Sequence, residues 1–212
     1  MPERPSARDE TSPEDLTPEF WGAKYRVADW GWDLGQVSPP FVKVWESGLL
    51  KPGRMLIPGC GRGWEALYFA EKGFKVTALD FAPEALIEVE RRANEAGLEI
   101  DECRQDFLNL SPELIGCFDV ILEQTCFCAI HPTQRPRYVA AAKSCLKPGG
   151  ELIGLFYSTR ERGGPPFDTD PEDVRRLFEP FFELEHFALT PNSHPRRLGQ
   201  EWLGMFRKKS RH

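Results

Sequence analysis

Short apolar segments alternate with helical patterns between residues 54 and 157, and this rhythm constrains the fold more than any other feature of the sequence. Five strands are predicted, at Arg54–Pro58, Lys75–Leu79, Leu98–Arg104, Phe118–Leu122 and Glu151–Tyr157. Helices are predicted between and after them, at 64–72, 83–96, 133–146 and 171–178. Strands that alternate with helices pair in parallel. The sequence therefore predicts an α/β fold with a single Rossmann-like, doubly wound and mostly parallel sheet.

The two ends of the chain add elements to this sheet. Phe181–Leu189 and Glu201–Lys208 predict two more strands, with an antiparallel strand at the C-terminal end. Thr17 is a suitable N-cap before Pro18, so we expect a helix there, a second one at 38–48, and together an N-terminal helical lid. Residues 1–16 are polar and rich in Pro and Glu. We expect them to form a flexible arm, which leaves 17–212 as one domain.

A glycine-rich turn follows the first predicted strand. Gly59, Gly61 and Gly63 are spaced G-x-G-x-G, and ligands of open α/β sheets bind beyond the carboxyl ends of the strands. A dinucleotide-binding turn needs its last glycine at position 64, where this chain has Trp64. The turn is therefore expected to accept a ligand without a pyrophosphate. The alternative is that the three glycines only form a tight turn and bind no ligand.

Acidic residues follow the next two predicted strands. Asp80 ends the second strand, where a carboxylate can accept hydrogen bonds from ribose hydroxyls. Asp106 and Phe107 follow the third strand and offer a polar group and a ring to an adenine. Taken singly, Asp80 could cap a helix and Asp106 a loop. The turn and the two acids together predict a nucleoside site.

The order and spacing of these residues resemble a class I S-adenosylmethionine-dependent methyltransferase. More narrowly, the chain resembles the thiopurine S-methyltransferase superfamily, especially its thiol, thiocyanate and halide methyltransferase branch. The resemblance extends from about residue 18 to residue 208. It rests on the segments FWGAKY (20–25), WD (32–33), IPGCG (57–61), TCFCAI (125–130), LKPGG (146–150) and GGPPF (163–167).

The resemblance implies roles for particular residues. S-adenosylmethionine would be bound by Trp21, Tyr25, Trp32, Gly59, Gly61, Gly63, Asp80, Asp106, Phe107, Glu123 and Gln124. The methyl acceptor would be contacted by Gln124, Phe127, Arg135 and Tyr157. Two positions depart from the family pattern. Tyr25 stands where the family usually has Trp, and Gln124 stands where it typically has Tyr or Arg, so the positive charge of thiopurine-type members is missing.

These residue types suit methyl transfer. Aromatic faces such as those of Trp21, Tyr25, Trp30 and Trp32 hold a sulfonium cation by cation–π attraction and keep water out. Thiolates and halides are soft nucleophiles, so alignment for in-line attack suffices and no general base is assigned. We expect methyl transfer to a small thiol, thiocyanate or halide, with S-adenosylhomocysteine as product. The alternatives are an O- or N-methyltransferase that uses a base such as Glu123, and a non-catalytic domain that binds the cofactor.

Composition argues against several other classes of protein. The 27 Lys and Arg residues against 33 Asp and Glu give a net charge of −6, whereas nucleic-acid binders are usually basic. The sequence has no apolar run of about 18 residues that would span a membrane. The six cysteines lie mostly in apolar contexts, so we expect a reduced, cytoplasmic protein. The four histidines lack metal-ligand spacing, so we expect no bound metal. We also expect a monomer.

Overall fold

A seven-stranded sheet forms the centre of the protein in a computed structural model that describes residues 11–210. Residues 1–10 of the expected N-terminal arm lie outside the described residues. The strand order along the sheet is β3-β2-β1-β4-β5-β7-β6. The strands are β1 (Arg54–Pro58), β2 (Lys75–Asp80), β3 (Asp101–Arg104), β4 (Phe118–Gln124), β5 (Leu146–Tyr157), β6 (Phe182–Leu189) and β7 (Glu201–Lys208).

Strand directions confirm the predicted sheet. β1 pairs in parallel with β2 and β4, β2 with β3, and β4 with β5. β7 pairs antiparallel with both β5 and β6. The sheet is therefore mostly parallel with one antiparallel strand, and that strand is the last in the described chain. The strand order reverses at β1 and β4, which is where ligands bind in open α/β sheets.

Seven α-helices connect or precede the strands within the described residues. They are α1 (Pro18–Arg26), α2 (Pro39–Glu46), α3 (Trp64–Glu71), α4 (Pro83–Ala96), α5 (Cys126–Ala129), α6 (Arg135–Cys145) and α7 (Pro171–Phe178). Local signals explain several ends. The Thr17 hydroxyl accepts a hydrogen bond from the Phe20 amide at 3.1 Å and caps α1, and Gly97 ends α4 in the left-handed conformation.

The largest differences from the predicted element boundaries concern β3, β5 and the helix at 133–146. β3 begins at Asp101 and not at residue 98. β5 begins at Leu146, because Phe118 of β4 pairs with Leu146 before an irregularity shifts the register and Val120 pairs with Glu151. The predicted helix at 133–146 is divided into a 3₁₀ turn at Pro132–Gln134 and α6. Strand pairing sets the starts of β3 and β5, which local propensity leaves open.

Apolar side chains cover both faces of the sheet. One cluster packs under α6 and α7 and includes Phe118, Tyr138, Phe156, Phe178 and Phe206. The second packs under α2, α3 and α4 and includes Phe41, Met55, Phe69, Val76 and Val89. Burial on both faces is what a parallel sheet requires. The carboxyl ends of the strands are left to form the wall of a cleft.

The segment before α1 contacts the rest of the chain. Residues Pro13–Asp15 form a 3₁₀ turn, and the Thr11 hydroxyl donates a hydrogen bond to the Gly164 carbonyl at 3.0 Å. The expected flexibility of residues 1–16 stays a prediction. Within residues 11–210, no helix is both long and apolar enough to cross a membrane.

Candidate active site

A cleft of about 1120 Å³ lies at the carboxyl ends of the central strands. Its walls come from the turn after β1, the ends of β2, β4 and β5, helix α1 and two loops near the C-terminus. The predicted site residues that line it are Trp21, Tyr25, Trp32, Gly59, Gly61, Asp80, Asp106, Phe107 and Tyr157. The structure therefore brings most of the predicted cofactor residues together.

The glycine turn forms the floor of the cleft. Gly59 and Gly61 have φ values of 58° and 57°, in the left-handed region that favours glycine. A Cβ on Gly61 would lie 3.6 Å from the Tyr25 hydroxyl oxygen, in the space between the turn and α1. Gly63 has a different place. It precedes α3 with φ 76° and faces Val89, away from the residues that line the cleft.

Asp80 combines burial with a position on the cleft wall. One carboxylate oxygen accepts a hydrogen bond from the Ala82 amide at 3.0 Å, and the other accepts one from the Gly61 amide at 3.3 Å. Burial raises the pKa of Asp80 to about 6, although these amides oppose the shift. Asp80 does not cap α4 as the alternative interpretation had it, since Ala82 takes the N-cap position.

The segment after β3 forms the next part of the wall. Asp106 accepts a hydrogen bond from the Leu108 amide at 2.8 Å, which is the turn contact that the alternative interpretation predicted. Phe107 is buried, with its ring 4.8 Å from the ring of Tyr138. Both residues nevertheless line the cleft, and so do Phe81 and Gln105 beside them.

Three aromatic rings from the N-terminal segment cover the glycine turn. The ring of Trp32 lies 5.5 Å from that of Trp21 and 5.7 Å from that of Tyr25, both in edge-on geometry. Trp30 is a correction to the expected set. It is not among the residues that line the cleft, and its ring lies under the Arg62 guanidinium at 4.4 Å. We call residues 17–37 the lid.

Hydrogen bonds from two directions hold the lid. The nearly buried carboxylate of Asp33 accepts hydrogen bonds from Arg62 at 2.6 Å and from the Trp64 indole at 2.8 Å. From the opposite side, Arg196 donates to the carbonyls of Gly31 and Asp33 at 2.7 and 2.8 Å. Trp64, which excluded a dinucleotide turn, therefore fastens the lid.

Four predicted site residues lie behind the cleft wall and not on it, namely Glu123, Gln124, Phe127 and Arg135. Glu123 is fully buried and accepts hydrogen bonds from the Phe127 amide and the Tyr138 hydroxyl. Burial raises its pKa to about 7. Gln124 donates to the Ser38 hydroxyl at 3.3 Å and accepts from Thr125 at 2.8 Å. Gln124 therefore supports Thr125, which does line the cleft, and Glu123 holds the start of α5 through Phe127.

Phe127 and Arg135 are also positioned differently from the expectation. Phe127 is buried in the core, with its ring between those of Tyr138 and Phe156 at 5.3 and 5.4 Å. Arg135 is neither at the acceptor nor on a solvated surface, because only 4 % of it is exposed and its guanidinium lies over the Phe127 ring. The sequence places both residues after β4 but does not give the direction of their side chains.

Tyr157, at the end of β5, lines the cleft beside residues that the sequence analysis missed. The guanidinium of Arg197 lies 5.1 Å from the Tyr157 ring, is nearly buried, and pairs with Glu201 at 3.2 Å. Cys126 and Cys128 of α5 and the segment Gly164–Pro166 complete this side of the cleft. Arg197 lies between β6 and β7, and the sequence gives no local signal that this arginine is buried.

The residues present fit S-adenosylmethionine. The turn leaves space under the lid that a side chain on Gly61 would fill, and Asp80 offers buried acceptor oxygens beside it. Rings surround the same space, where a sulfonium is held by cation–π attraction. No group of three His, Cys, Asp or Glu side chains within residues 11–210 is arranged to bind a metal ion. The fold and the cleft together define an S-adenosylmethionine-dependent methyltransferase.

Comparison with known proteins gives the family. The family model for thiopurine S-methyltransferase matches residues 16–207, and the chain belongs to this family. A probable thiol methyltransferase 2 of Arabidopsis thaliana is 32% identical over 199 residues, which cover 90% of this chain and 85% of that protein. Thiocyanate methyltransferase 1 of the same plant is 32% identical over 185 residues, covering 84% and 79%. The family resemblance drawn from the sequence is thereby confirmed.

Solved structures confirm the fold. The 1,6-didemethyltoxoflavin-N1-methyltransferase of Burkholderia thailandensis, crystallised with bound 1,6-didemethyltoxoflavin and S-adenosylhomocysteine, superposes with a TM-score of 0.74 at 21% identity. The match covers 99% of this chain and 94% of that one. TehB from Haemophilus influenzae matches with a TM-score of 0.64 at 15% identity, covering 94% and 68%.

Proposed function

We propose that this methyltransferase acts on a small soft nucleophile, namely a thiol, thiocyanate or a halide. The observation that carries the proposal is the aromatic cover of Trp21, Tyr25 and Trp32 over the glycine turn, with no carboxylate base on the β4 and β5 side of the cleft among the described residues that line it. Such a site excludes water and offers alignment without proton abstraction. The names of the relatives from Arabidopsis, which refer to thiol and thiocyanate, support the same class of acceptor.

The cofactor site is proposed from the positions on the wall. Asp80 would accept hydrogen bonds from the ribose hydroxyls, and Asp106 with Phe107 would contact the adenine. Gly59 and Gly61 would lie against the methionine part, because their lack of side chains lets the backbone approach it. Trp21, Tyr25 and Trp32 would close over the sulfonium. Gly63, Glu123 and Gln124 would support these residues without contacting the cofactor.

The chain's own residues orient the acceptor. When bound, S-adenosylmethionine supplies an electrophilic methyl group on a sulfonium. Arg197 and Tyr157 would contact the acceptor in the cleft, and because Arg197 is paired with Glu201 at 3.2 Å, it offers N–H donors and not an unbalanced positive charge. The lid keeps water from the site, so a thiolate or halide arrives poorly solvated and reactive. No step requires a proton to move on the protein.

An acceptor panel tests the proposal. The purified protein is incubated with S-adenosylmethionine and, separately, iodide, thiocyanate, bisulfide, an aromatic thiol, a thiopurine or a catechol, and S-adenosylhomocysteine and the methylated product are measured. Turnover of a thiol, thiocyanate or halide is expected. Turnover of catechol alone would overturn the proposal and favour an O-methyltransferase. No turnover with intact cofactor binding would overturn it as well.

We also propose a reducing, cytoplasmic location. All six cysteines are free, and three of them, Cys60, Cys128 and Cys145, are buried. Free thiols are typical of proteins that are kept reduced. Localisation of the tagged protein by fluorescence in cells of its source would test this point.

A further inference from the structure

Arg135, at the start of α6, is a buried cation without a carboxylate partner in the described part of the chain. Its Nη2 atom donates to the Asp168 carbonyl at 2.9 Å, and at 3.4 Å to the Phe167 carbonyl and the Thr169 hydroxyl. The guanidinium lies 4.7 Å from the centre of the Phe127 ring. Burial of a charge that is not paired costs stability. Such a cost is typical of residues with a functional task.

The segment that Arg135 holds leads directly into the cleft. Gly164, Pro165 and Pro166 line the cleft and precede Phe167 in the chain. We call these three residues the proline wall. The Phe167 amide donates to the Cys128 carbonyl at 2.7 Å, which ties the wall to α5. Arg135 therefore fixes one end of the wall through two backbone carbonyls.

Asp168 anchors the same segment to β5. Its Oδ1 atom accepts hydrogen bonds from the Ser158 hydroxyl at 3.0 Å and from the Arg160 amide at 2.9 Å. Ser158 directly follows Tyr157, at the end of β5. The proline wall is thus held from α6 by Arg135 and from the end of β5 by Asp168, at two points that can be changed separately.

The strand order gives the side of the cleft on which the wall stands. β2 and β3 lie on one side of β1, and they carry Asp80 and lead to Asp106. β4 and β5 lie on the other side and lead to Cys128 and Tyr157. If adenosine occupies the β2 and β3 side, as proposed above, the acceptor occupies the β4 and β5 side. The segment that follows the proline wall is hydrogen-bonded to Cys128 and Ser158, which belong to this second side.

We infer that Arg135 is a positioning residue for the methyl acceptor, which fixes the proline wall and so sets the size of acceptor that the cleft accepts. It does so through the carbonyls of Phe167 and Asp168, and its side chain contacts neither acceptor nor cofactor. This inference rests on the proposed function, because that proposal assigns the two sides of the cleft.

The test compares Arg135→Lys, Arg135→Met and Asp168→Ala with the wild type. For each protein, kcat and KM are measured with a small acceptor (bisulfide or thiocyanate) and with an aromatic thiol, and the Kd of S-adenosylmethionine is measured by calorimetry. The control is Arg176→Met on α7, since Arg176 pairs with Asp173 on the surface. Thermal melting confirms that each variant is folded.

We expect a change in acceptor recognition only. In Arg135→Met and Asp168→Ala, the KM of at least one acceptor rises about tenfold, because a misplaced wall aligns the acceptor poorly. The ratio of kcat/KM between the small and the aromatic acceptor changes, while the Kd of S-adenosylmethionine stays within about twofold. Arg135→Lys restores part of the ratio, because an ammonium reaches fewer carbonyls than a guanidinium.

Two results would overturn the inference. The first is an unchanged acceptor ratio in the folded variants, which would make Arg135 a residue of the core alone. The second is a parallel loss of cofactor and acceptor affinity. If Arg135→Met does not fold, Arg135→Lys tests the arginine and Asp168→Ala, which removes the acceptor of the Ser158 and Arg160 hydrogen bonds, tests the wall. A wild type that methylates no acceptor would overturn the proposed function and this inference with it, so the two failures are distinguishable.

Discussion

The carboxyl group of Asp80 joins the glycine turn to the end of β2. It accepts hydrogen bonds from two backbone amides and still faces the cleft. Because burial raises the pKa of Asp80 to about 6, its charge state changes within the range in which enzymes are assayed. The protonated form predominates below that pH, and it offers a ribose hydroxyl a weaker acceptor than the carboxylate does.

The affinity for S-adenosylmethionine is therefore expected to fall as the pH decreases from 7.5 through 6. Asp80→Asn should raise the Kd at pH 7.5 by about tenfold or more, since hydrogen bonds to charged groups are worth about 1.5–3 kcal/mol. The Kd of this variant should depend less on pH over the same range. Calorimetry at several pH values measures both effects. Asp101→Asn, at an exposed position on β3, is the control, and equal pH profiles in wild type and Asp80→Asn would exclude this role for Asp80.

Two glycines with positive φ offer a matched comparison of backbone strain and packing. Gly63 has φ 76°, and an added Cβ would lie 2.8 Å from Val89 Cγ2. Gly97 has φ 66°, and an added Cβ would meet no atom within 4 Å. Gly97→Ala should lower the free energy of unfolding by about 1 kcal/mol from strain alone. Gly63→Ala should lower it by about 1 kcal/mol more from the clash. Urea denaturation compares the two, and equal losses would contradict the packing argument.

The sequence predicts which backbone positions lie at the cleft, but it does not predict where the side chains after β4 point. Motif spacing places Asp80, Gly59 and Gly61 correctly on the cleft, because a strand end and a turn fix the backbone there. It gives no direction for Phe127 and Arg135 after β4, since Thr125 turns the chain with φ 60° into the four-residue helix α5. A helix so short has no recognisable periodicity.

The lid covers the glycine turn with three aromatic rings and is attached to the rest of the chain by hydrogen bonds. Asp33 is its main fastening, with Arg62 and Trp64 on one side and its backbone carbonyl bonded to Arg196 on the other. The aromatic residues of the lid are evident in the sequence. Its fastening is not, because Arg62 and Arg196 lie far from Asp33 along the chain and each looks like an ordinary surface charge.

Asp33→Asn is expected to loosen the lid without changing its rings. An amide keeps one acceptor oxygen but loses the charge that pairs with Arg62, whose Nε atom already has no hydrogen-bond partner. The Kd of S-adenosylmethionine should rise several-fold, and S-adenosylhomocysteine should dissociate faster, as measured by stopped-flow tryptophan fluorescence. Glu46→Gln, which breaks an exposed pair with Lys43 on α2, is the control. Unchanged dissociation would mean that the lid does not open through this contact.

Buried carboxyl groups set the acid–base behaviour of the whole molecule. Burial raises the pKa of Glu65 and Glu123 to about 7 and that of Asp80 to about 6. The usual values, near 4, apply to the unfolded chain. Between pH 4 and 7 the folded protein therefore binds more protons at these sites than the unfolded chain does. By linkage, their contribution to stability is largest in mild acid and decreases as the pH rises through 7.

Thermal melting should show this effect directly. We expect a higher melting temperature at pH 6 than at pH 8, and a smaller difference in Glu65→Gln. Gln keeps an oxygen for the Ser38 amide, which bonds Glu65 at 2.9 Å, but cannot titrate. Glu71→Gln, exposed on the same helix, should leave the difference unchanged. At lower pH the contribution of Glu88 acts in the opposite sense, since contacts with Arg91 and Arg92 hold its pKa at about 2.

The whole fold was largely predictable, because alternating strands and helices leave few ways to build one sheet. The antiparallel strand was also predicted at the C-terminal end. Its place between β5 and β6 was not, since strand order depends on pairings between distant residues that leave no periodic signal. The early start of β5 at Leu146 has the same cause: Phe118 pairs there across the sheet.

The position of β7 has a consequence for synthesis on the ribosome. β7 is the last strand of the described chain, yet it lies between β5 and β6 and supplies the backbone pairing of both. The nascent chain consequently carries two unsatisfied strand edges until residues 201–208 leave the exit tunnel. Arg197, which lines the cleft beside Tyr157, and its partner Glu201 emerge shortly before or with β7. The sheet beside the cleft is therefore complete only after β7 has emerged, and protection of the nascent chain by a chaperone matters most just before that moment.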